Sequence, residues 1–528
     1  MSGAPTTAAR EAHSARHIGF KKAAILVAVA FLATLALVLR FYRLGALSLW
    51  SDEGISAAFT SLDWYNFLRI LWRREANMAL YYLLLRAWAQ GGNSEAWLRS
   101  FSVLASAATV PLLWLLGRRL FGEAVGLASA LLLALHAYHL QYAQEARSYS
   151  LVTLLVTASM YFFVRAVENQ QRRDWNWYVA TGSLAIYAHF FAVLVVVAQG
   201  ISLCVRNPSF ESSAGKASLG LPAAPISTRS FRQAARRIAL WTLPVWLFIG
   251  TTGAGPVAWV PRPRAADLHT FADLFAGSGG EVLLALCGLC TLLGAIATAR
   301  RLVGVPGKRG YCACRSGAGR SKESWSYALV LAWFAVPVLI SLAFSLARPV
   351  FYPRFLLVAL PGLVLLVTLG LFSLRPRWTA VPVLALMAWL AWGGVRHYFR
   401  NFGKEDLRGA AHYVLSGAEP GDAIVFYKPQ SRFVYSYYAD RSGRTTRPVI
   451  VFPGHGDRPA WRDFMPKFLP QTFSEAARNY RRVWLILTDD PASGGEPRAR
   501  QIQALVASRD RLLARHDFAG VYVFLYTK

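Results

Sequence analysis

Acidic residues are scarce in this chain: 28 Asp and Glu stand against 57 Lys and Arg, a formal net charge of +29 over 528 residues. Charge of either sign is thin, at 16% of residues, while 55% are apolar. That balance excludes an ordinary soluble domain and indicates a polytopic α-helical membrane protein. A positive surplus can also suit nucleic acid. Here the basic residues sit in short loops between apolar runs, the cytoplasmic-side pattern of membrane proteins, so no nucleic-acid partner is expected. Cysteine is nearly absent, with five residues. Cys204, Cys287, Cys290, Cys312 and Cys314 fall in apolar runs or on the expected cytoplasmic side, which implies no extracytoplasmic disulfide. One close pair lies within an apolar run and the other lacks a histidine, so neither reads as a zinc site and no metal is expected. A glycine-rich phosphate loop is missing too, since Gly454-His455-Gly456 is isolated and reads as a turn.

What is present is a series of apolar runs, near 23–41, 97–117, 122–138, 148–167, 175–188, 190–205, 239–257, 281–299, 326–347, 355–374 and 379–396. They predict about eleven transmembrane helices. The fifth and sixth are short, and His189 marks a tight hairpin between them. The first run has the basic lead of a signal peptide but no convincing small-residue cleavage site, and is read as a retained anchor. Arg118, Arg119, Arg172, Arg173, Arg232, Arg236, Arg237, Arg300, Arg301, Arg375 and Arg377 fall in alternate loops, which places that side and the N-terminus in the cytoplasm. Residues 76–90 hold Arg86 and are too short to cross, so they are expected as an amphipathic helix on the outer surface. The loops 206–238 and 300–325, rich in Ser, Gly, Ala, Pro and Arg, are expected to be disordered or bound to the membrane surface.

From about residue 397 the texture changes. Short apolar stretches at 423–427, 449–452, 483–487 and 521–525 alternate with helical stretches near 405–416, 430–439, 473–480 and 499–514. This predicts a small α/β domain. Three parts follow: a basic tail 1–22, a transmembrane domain 23–396 with a first outer loop over 42–96, and an extracytoplasmic α/β domain 397–528.

The chemistry is legible in where the few acids fall. Asp52 and Glu53 stand together just past the first apolar run, and ionised groups kept near hydrocarbon are costly. The same expected face receives Glu75, Asn77, Tyr81 and Tyr82 from the first loop. His136, His139, Gln144, Glu145, Arg147 and Tyr149 follow the third run, and His189 the fifth. Arg262, Arg264, Asp267, His269, Arg348, Tyr352 and Arg354 come from later loops. A boundary carboxylate can act as general base on an acceptor hydroxyl, and arginines beside it can bind a lipid-linked phosphate and stabilise it as a leaving group. Blander roles stand beside these: His136 and His139 fit helix caps, Glu145 and Arg147 a surface ion pair, and Arg348 and Arg354 snorkelling anchors.

Five stretches carry a resemblance. They are Leu49-Trp50-Ser51-Asp52-Glu53, residues 75–85 from Glu75 to Leu85, residues 144–151 from Gln144 to Leu151, Tyr187-Ala188-His189-Phe190 and Tyr352-Pro353-Arg354-Phe355. In order and spacing the chain resembles the GT-C superfamily of integral-membrane glycosyltransferases, in particular bacterial relatives of the family 39 protein mannosyltransferases and the aminoarabinose transferases. It departs in having Asn77-Met78-Ala79 where many relatives carry His-Pro or Pro-Pro, and Glu145 where the second acid is often Asp. It also lacks the Trp-Trp-Asp triplet of the oligosaccharyltransferase branch.

The resemblance implies a GT-C fold and an inverting sugar transfer from a polyprenyl-phosphate donor at the outer face of the cytoplasmic membrane, without metal or cofactor. It assigns Asp52 as general base with Glu53 beside it, Glu145 as second acid, and Arg354 with Tyr352 to the donor phosphate. Arg147 and His189 would shape the pocket, and Asn77, Tyr82 and Tyr149 would contact substrate. The acceptor (protein, lipid or glycan) is left open. A lipid flippase would need polar residues through the span centres, and a polysaccharide-binding scaffold would not need this carboxylate cluster.

Overall fold

The computed structural model describes residues 7–205, 226–252, 260–302, 317–452, 478–488 and 511–528, with isolated positions between 501 and 507. The chain opens with α1 (Thr7–Phe41), followed by the short helices α2 (Ser51–Ser61), α3 (Trp64–Ile70) and α4 (Ala79–Trp88). Next come α5 (Glu95–Phe121), α6 (Glu123–Ala134), α7 (Ala137–Ala143), α8 (Tyr149–Asn169), α9 (Arg172–Ala188) and α10 (Ala192–Leu203). Then follow α11 (Ile226–Trp241), α12 (Leu243–Thr252), α13 (Ala265–Ala276), α14 (Glu281–Leu302), α15 (Gly317–Ala347), α16 (Leu360–Ser373) and α17 (Ala380–Asn401).

Among the described residues seven helices are long and apolar enough to cross a membrane, or eight if the bent pair α6–α7 is one span. Among the described residues each of the eleven expected segments overlaps helix. However, α9, α10 and α12 have 17, 12 and 10 residues, short of the ~20 that a full crossing takes. The segment expected at 122–138 is broken, with a 60° bend between α6 and α7. There His136 turns extended (φ −77°, ψ 108°) and its Nδ1 accepts from the His139 N–H, capping α7. The carbonyls freed at the break are satisfied by the buried Arg40, which donates to Leu133 O and Ala134 O at 3.2 Å each. Residues 76–90 form a 3-10 turn and then α4, with Tyr81, Tyr82 and Leu85 buried and Leu83 and Leu84 exposed.

The loop reading of 206–238 is corrected in its second half, where α11 is helical; Phe231, Ala234 and Ile238 face the bundle while Arg232 and Arg236 stay exposed. Residues 317–325 likewise belong to α15. Residues 206–225 and 303–316, with Cys312 and Cys314, lie outside the described residues, as do Gly454-His455-Gly456 and, apart from single positions, residues 473–477 and 499–510 of the helices expected at 473–480 and 499–514; residues 478–480 are not helical.

Among the described residues the C-terminal domain contains α18 (Leu407–Gly417), β1 (Ala423–Phe426), α19 (Ser431–Arg441), β2 (Val449–Phe452), β3 (Arg482–Leu487), β4 (Arg511–Phe518) and β5 (Val521–Thr527). The sheet order is β2-β1-β3-β5-β4, with β1 parallel to β2 and β3, and β5 antiparallel to β3 and β4. The end of the helix expected at 499–514 is therefore a strand. Arg511 to Ala514 reads as a helix former, but Gly520 (φ 65°) closes a tight turn that pairs the segment with β5 as an exposed edge. One sheet face (Ile424, Phe426, Trp484, Ile486) joins the same hydrophobic core as the bundle through α18 and α19. The other face has its own smaller core around Val425, Leu485 and Phe524.

Candidate active site

Asp52 and Glu53 form the first turn of α2, where negative charge is favoured by the exposed backbone N–H groups. Successive helical residues point about 100° apart, so the two carboxylates meet different partners. Gly54 lies hard against Val434 of α19, where an added Cβ would stand 3.0 Å from the Val434 nitrogen. The helix start is thus pinned to the C-terminal domain.

Asp52 faces Arg354, whose Nη1 donates to Asp52 Oδ2 at 3.1 Å across 302 residues of sequence. Arg354 sits in the 3-10 turn Pro353–Ala359 at the start of the α16 span. Its guanidinium carbon lies 5.1 to 5.8 Å from the ring centres of Tyr352, Trp50, Tyr149 and Phe355, within cation–π range. The Asp52 side chain keeps 25% exposure, so it can still meet an incoming group.

Glu53 is closed off. Arg99 Nε and Nη2 donate to its two oxygens at 2.8 Å each, Lys404 Nζ donates at 2.9 Å and the Ala146 N–H at 2.9 Å. Burial alone would raise this carboxyl, but Arg99 and Lys404 together hold it down at about 2. Both Glu53 oxygens are thus taken up by fixed donors that tie the start of α2 to α5, to the 144–148 turn and to Lys404.

Glu145 belongs to the turn between α7 and α8. Gln144 fixes that turn by donating to Arg40 O at 2.9 Å and Tyr42 O at 2.8 Å and accepting from Tyr398 Oη at 3.0 Å. Glu145 is buried, and its Oε2 has no hydrogen-bond partner. Burial foremost, with Glu53 and Asp52 nearby, pushes its carboxyl up to about 7 against the pull of Lys404 and Arg354. It is not the surface ion-pair partner of Arg147, because that guanidinium turns elsewhere. Arg147 Nη1 donates to Tyr82 Oη at 2.7 Å, and Tyr82 in turn donates to Glu75 Oε2 at 3.4 Å. Burial raises the Glu75 carboxyl as well. Asn77 Oδ1, at the foot of α4, is buried without a hydrogen-bond partner. His189 packs, tilted, between Tyr149 and Phe355, 5.8 and 5.4 Å from their centres, and so joins the aromatic wall around Arg354.

The candidate residues from the first loop, the 144–149 turn, His189 and residues 352–354 thus gather at one end of the bundle. Others do not join them. Arg264 and Asp267 cap α13, His269 pairs with the exposed Glu281 at 3.6 Å, and Arg348 is exposed. His139 contacts Arg40 at 3.0 Å inside the bundle. Among the described residues no three His, Cys, Asp or Glu side chains are arranged to hold a metal ion. Arg99 and Lys404 went unrecognised from sequence. Arg99 carried a signal, a charge at the start of an apolar run, whereas Lys404 stands in a polar stretch with nothing to mark it.

Residues 79–224 match the family model of dolichyl-phosphate-mannose-protein mannosyltransferases. No curated protein matches the chain. Among solved structures the chain is similar to ArnT from Cupriavidus metallidurans in the apo state, at 13% identity and TM-score 0.57, covering 94% of this chain and 97% of that one. The same protein bound to undecaprenyl phosphate gives 11% identity, TM-score 0.56 and the same coverage. The archaeal oligosaccharyltransferase AglB from Archaeoglobus fulgidus, in complex with an inhibitory peptide and a dolichol-phosphate, gives 10% identity and TM-score 0.51, over 88% of this chain and 70% of that one. The chain thus shares the overall fold of ArnT and AglB, and the match to the mannosyltransferase family model lies within that fold, over residues 79–224.

Proposed function

We propose that the protein transfers a sugar from a polyprenyl-phosphate donor to an acceptor hydroxyl, with inversion at the anomeric carbon and Asp52 as general base. The observation that carries this reading is the contact between Asp52 and Arg354, a partly exposed carboxylate on a guanidinium at the mouth of a span. The similarity to a structure holding undecaprenyl phosphate supports a lipid-linked donor. In the free enzyme Arg354 holds Asp52. An arriving donor phosphate takes over Arg354, where a guanidinium offers paired N–H donors, and Asp52 is released toward the acceptor. Asp52 then accepts the acceptor's hydroxyl proton, the acceptor oxygen bonds to the sugar C1, and the C1–O bond to phosphate breaks. The polyprenyl phosphate leaves with the bonding pair, its charge met by Arg354. Arg147, Tyr82, Asn77, Tyr149, Tyr352 and His189 line the surroundings and orient the donor. The reaction takes place on the non-cytoplasmic side of the cytoplasmic membrane, with the N-terminus inside and domain 397–528 outside.

The test is release of lipid phosphate from a panel of undecaprenyl-phosphate hexoses and pentoses by the purified protein. Asp52→Asn is expected to lose about a hundredfold or more in turnover, the scale of a positioned base, while the protein still accumulates in membranes. Arg354→Ala is expected to weaken donor use more than acceptor use. Normal turnover by Asp52→Asn sinks the assignment.

A further inference from the structure

One short segment touches both acid-bearing loops of the site. It runs from the end of α17 through the turn 402–406 into α18. Tyr398 Oη donates to Gln144 Oε1 at 3.0 Å, and Lys404 Nζ reaches Glu53 Oε2 at 2.9 Å and Gln144 O at 3.5 Å. Ser51 Oγ donates to Glu405 Oε2 at 3.3 Å, and Asp406 caps α18 by accepting from the Gly409 N–H at 2.9 Å. Lys404 is only 4% exposed and lies 5.9 Å from the Trp50 ring centre. Desolvating an ammonium is costly. Neutralising Glu53 does not require it, because Arg99 already grips that carboxylate with two donors. What Lys404 adds is a second bridge beside the Ala146 N–H bond to Glu53, since it is bonded at once to the α2 start and to the backbone beside Glu145.

We propose that Lys404 is a positioning residue of the active site, stapling the start of α2 to the 144–148 turn so that Asp52 and Glu145 stand at a fixed separation. The staple belongs to the entry of the C-terminal domain, which makes that domain part of the catalytic assembly. The proposal rests on Asp52 being the base, and it extends that reading to a residue that touches no substrate.

The experiment compares wild type, Lys404→Met, Lys404→Arg and Asp52→Asn as full-length protein in lipid nanodiscs. The first readout is hydrogen–deuterium exchange over 49–61 and 144–149, which needs no substrate. Lys404→Met is expected to speed exchange in both segments and leave β1, β3 and β5 unchanged, and Lys404→Arg to restore protection. The second readout is turnover of undecaprenyl-phosphate sugars. There Lys404→Met is expected to lose about tenfold or more in kcat with donor KM within about twofold, and Lys404→Arg to recover most of it. Unchanged exchange over 49–61, wild-type kcat in Lys404→Met, or a loss of protection spreading through the sheet would each overturn the proposal. Normal turnover by Asp52→Asn alongside the expected exchange pattern defeats the base assignment and leaves the staple standing.

Discussion

Two neighbouring carboxylates at the head of α2 divide their labour through geometry alone. Asp52 keeps one cationic contact and some exposure, whereas Glu53 is saturated by Arg99, Lys404 and the Ala146 N–H. Sequence marks the pair but not which member is enclosed, because that depends on cations 46 and 351 residues away. Glu145 supplies the residue-scale prediction. Its carboxyl lies at about 7, up from the ordinary 4.5, so the folded state binds its proton more tightly than the unfolded chain does. Its contribution to stability is full below about pH 4.5 and is lost as pH rises through about 7, on the order of 3 kcal/mol in all. Glu53 runs the other way: held at about 2, its contribution is present above 4.5 and lost as pH falls toward 2. Glu145→Gln is therefore expected to flatten the fall in thermal unfolding temperature between about pH 5 and about pH 8. It is also expected to erase an ionisation near neutral pH in the turnover profile. An identical pH dependence in wild type and variant would refute this.

At the scale of elements, the hydrophobic runs marked where helices lie in the bundle, since burial in lipid leaves a long apolar signature. The errors have physical reasons. The break at His136 was hidden because apolar residues continue on both sides of it and Arg40, from another helix, satisfies the interrupted carbonyls. The strand β4 was hidden because Arg, Leu and Ala favour helices, while pairing with β5 overrode that preference. The contact of α2 with α19 is the element on which the site turns. Gly54→Ala drives a methyl group into Val434, an overpacking that costs about 1–3 kcal/mol. Calorimetry is expected to show a lower unfolding temperature, and turnover to fall as the α2 start shifts. A variant as stable and active as wild type would show that this contact is slack.

At the scale of the whole molecule, the C-terminal domain is not an appended module. Tyr438 Oη accepts from the Leu49 N–H at 2.9 Å and donates to Glu95 at 2.6 Å. Arg408 reaches Glu95 at 2.7 Å and Leu47 O at 3.1 Å, and Tyr437 donates to Asn93 O at 2.8 Å. These bonds brace the first loop from outside while Arg99 braces it from the bundle. A chain ending after Asn401 keeps every long apolar helix but loses the brace. It is expected to insert in membranes, to be cut rapidly within residues 42–61 by added protease, and to lack transferase activity. Protection of that loop equal to the full chain's would show the domain to be dispensable for it.

A local pattern in the sequence carries the membrane class, the order of the apolar segments and the change of texture near residue 397, but not how many of those segments are long enough to cross. The tertiary structure decides which acid keeps some exposure, which is locked and which is pushed toward neutrality. Those properties depend on burial and on charges brought from distant segments, and no stretch of sequence contains both halves of an ion pair that closes across hundreds of residues.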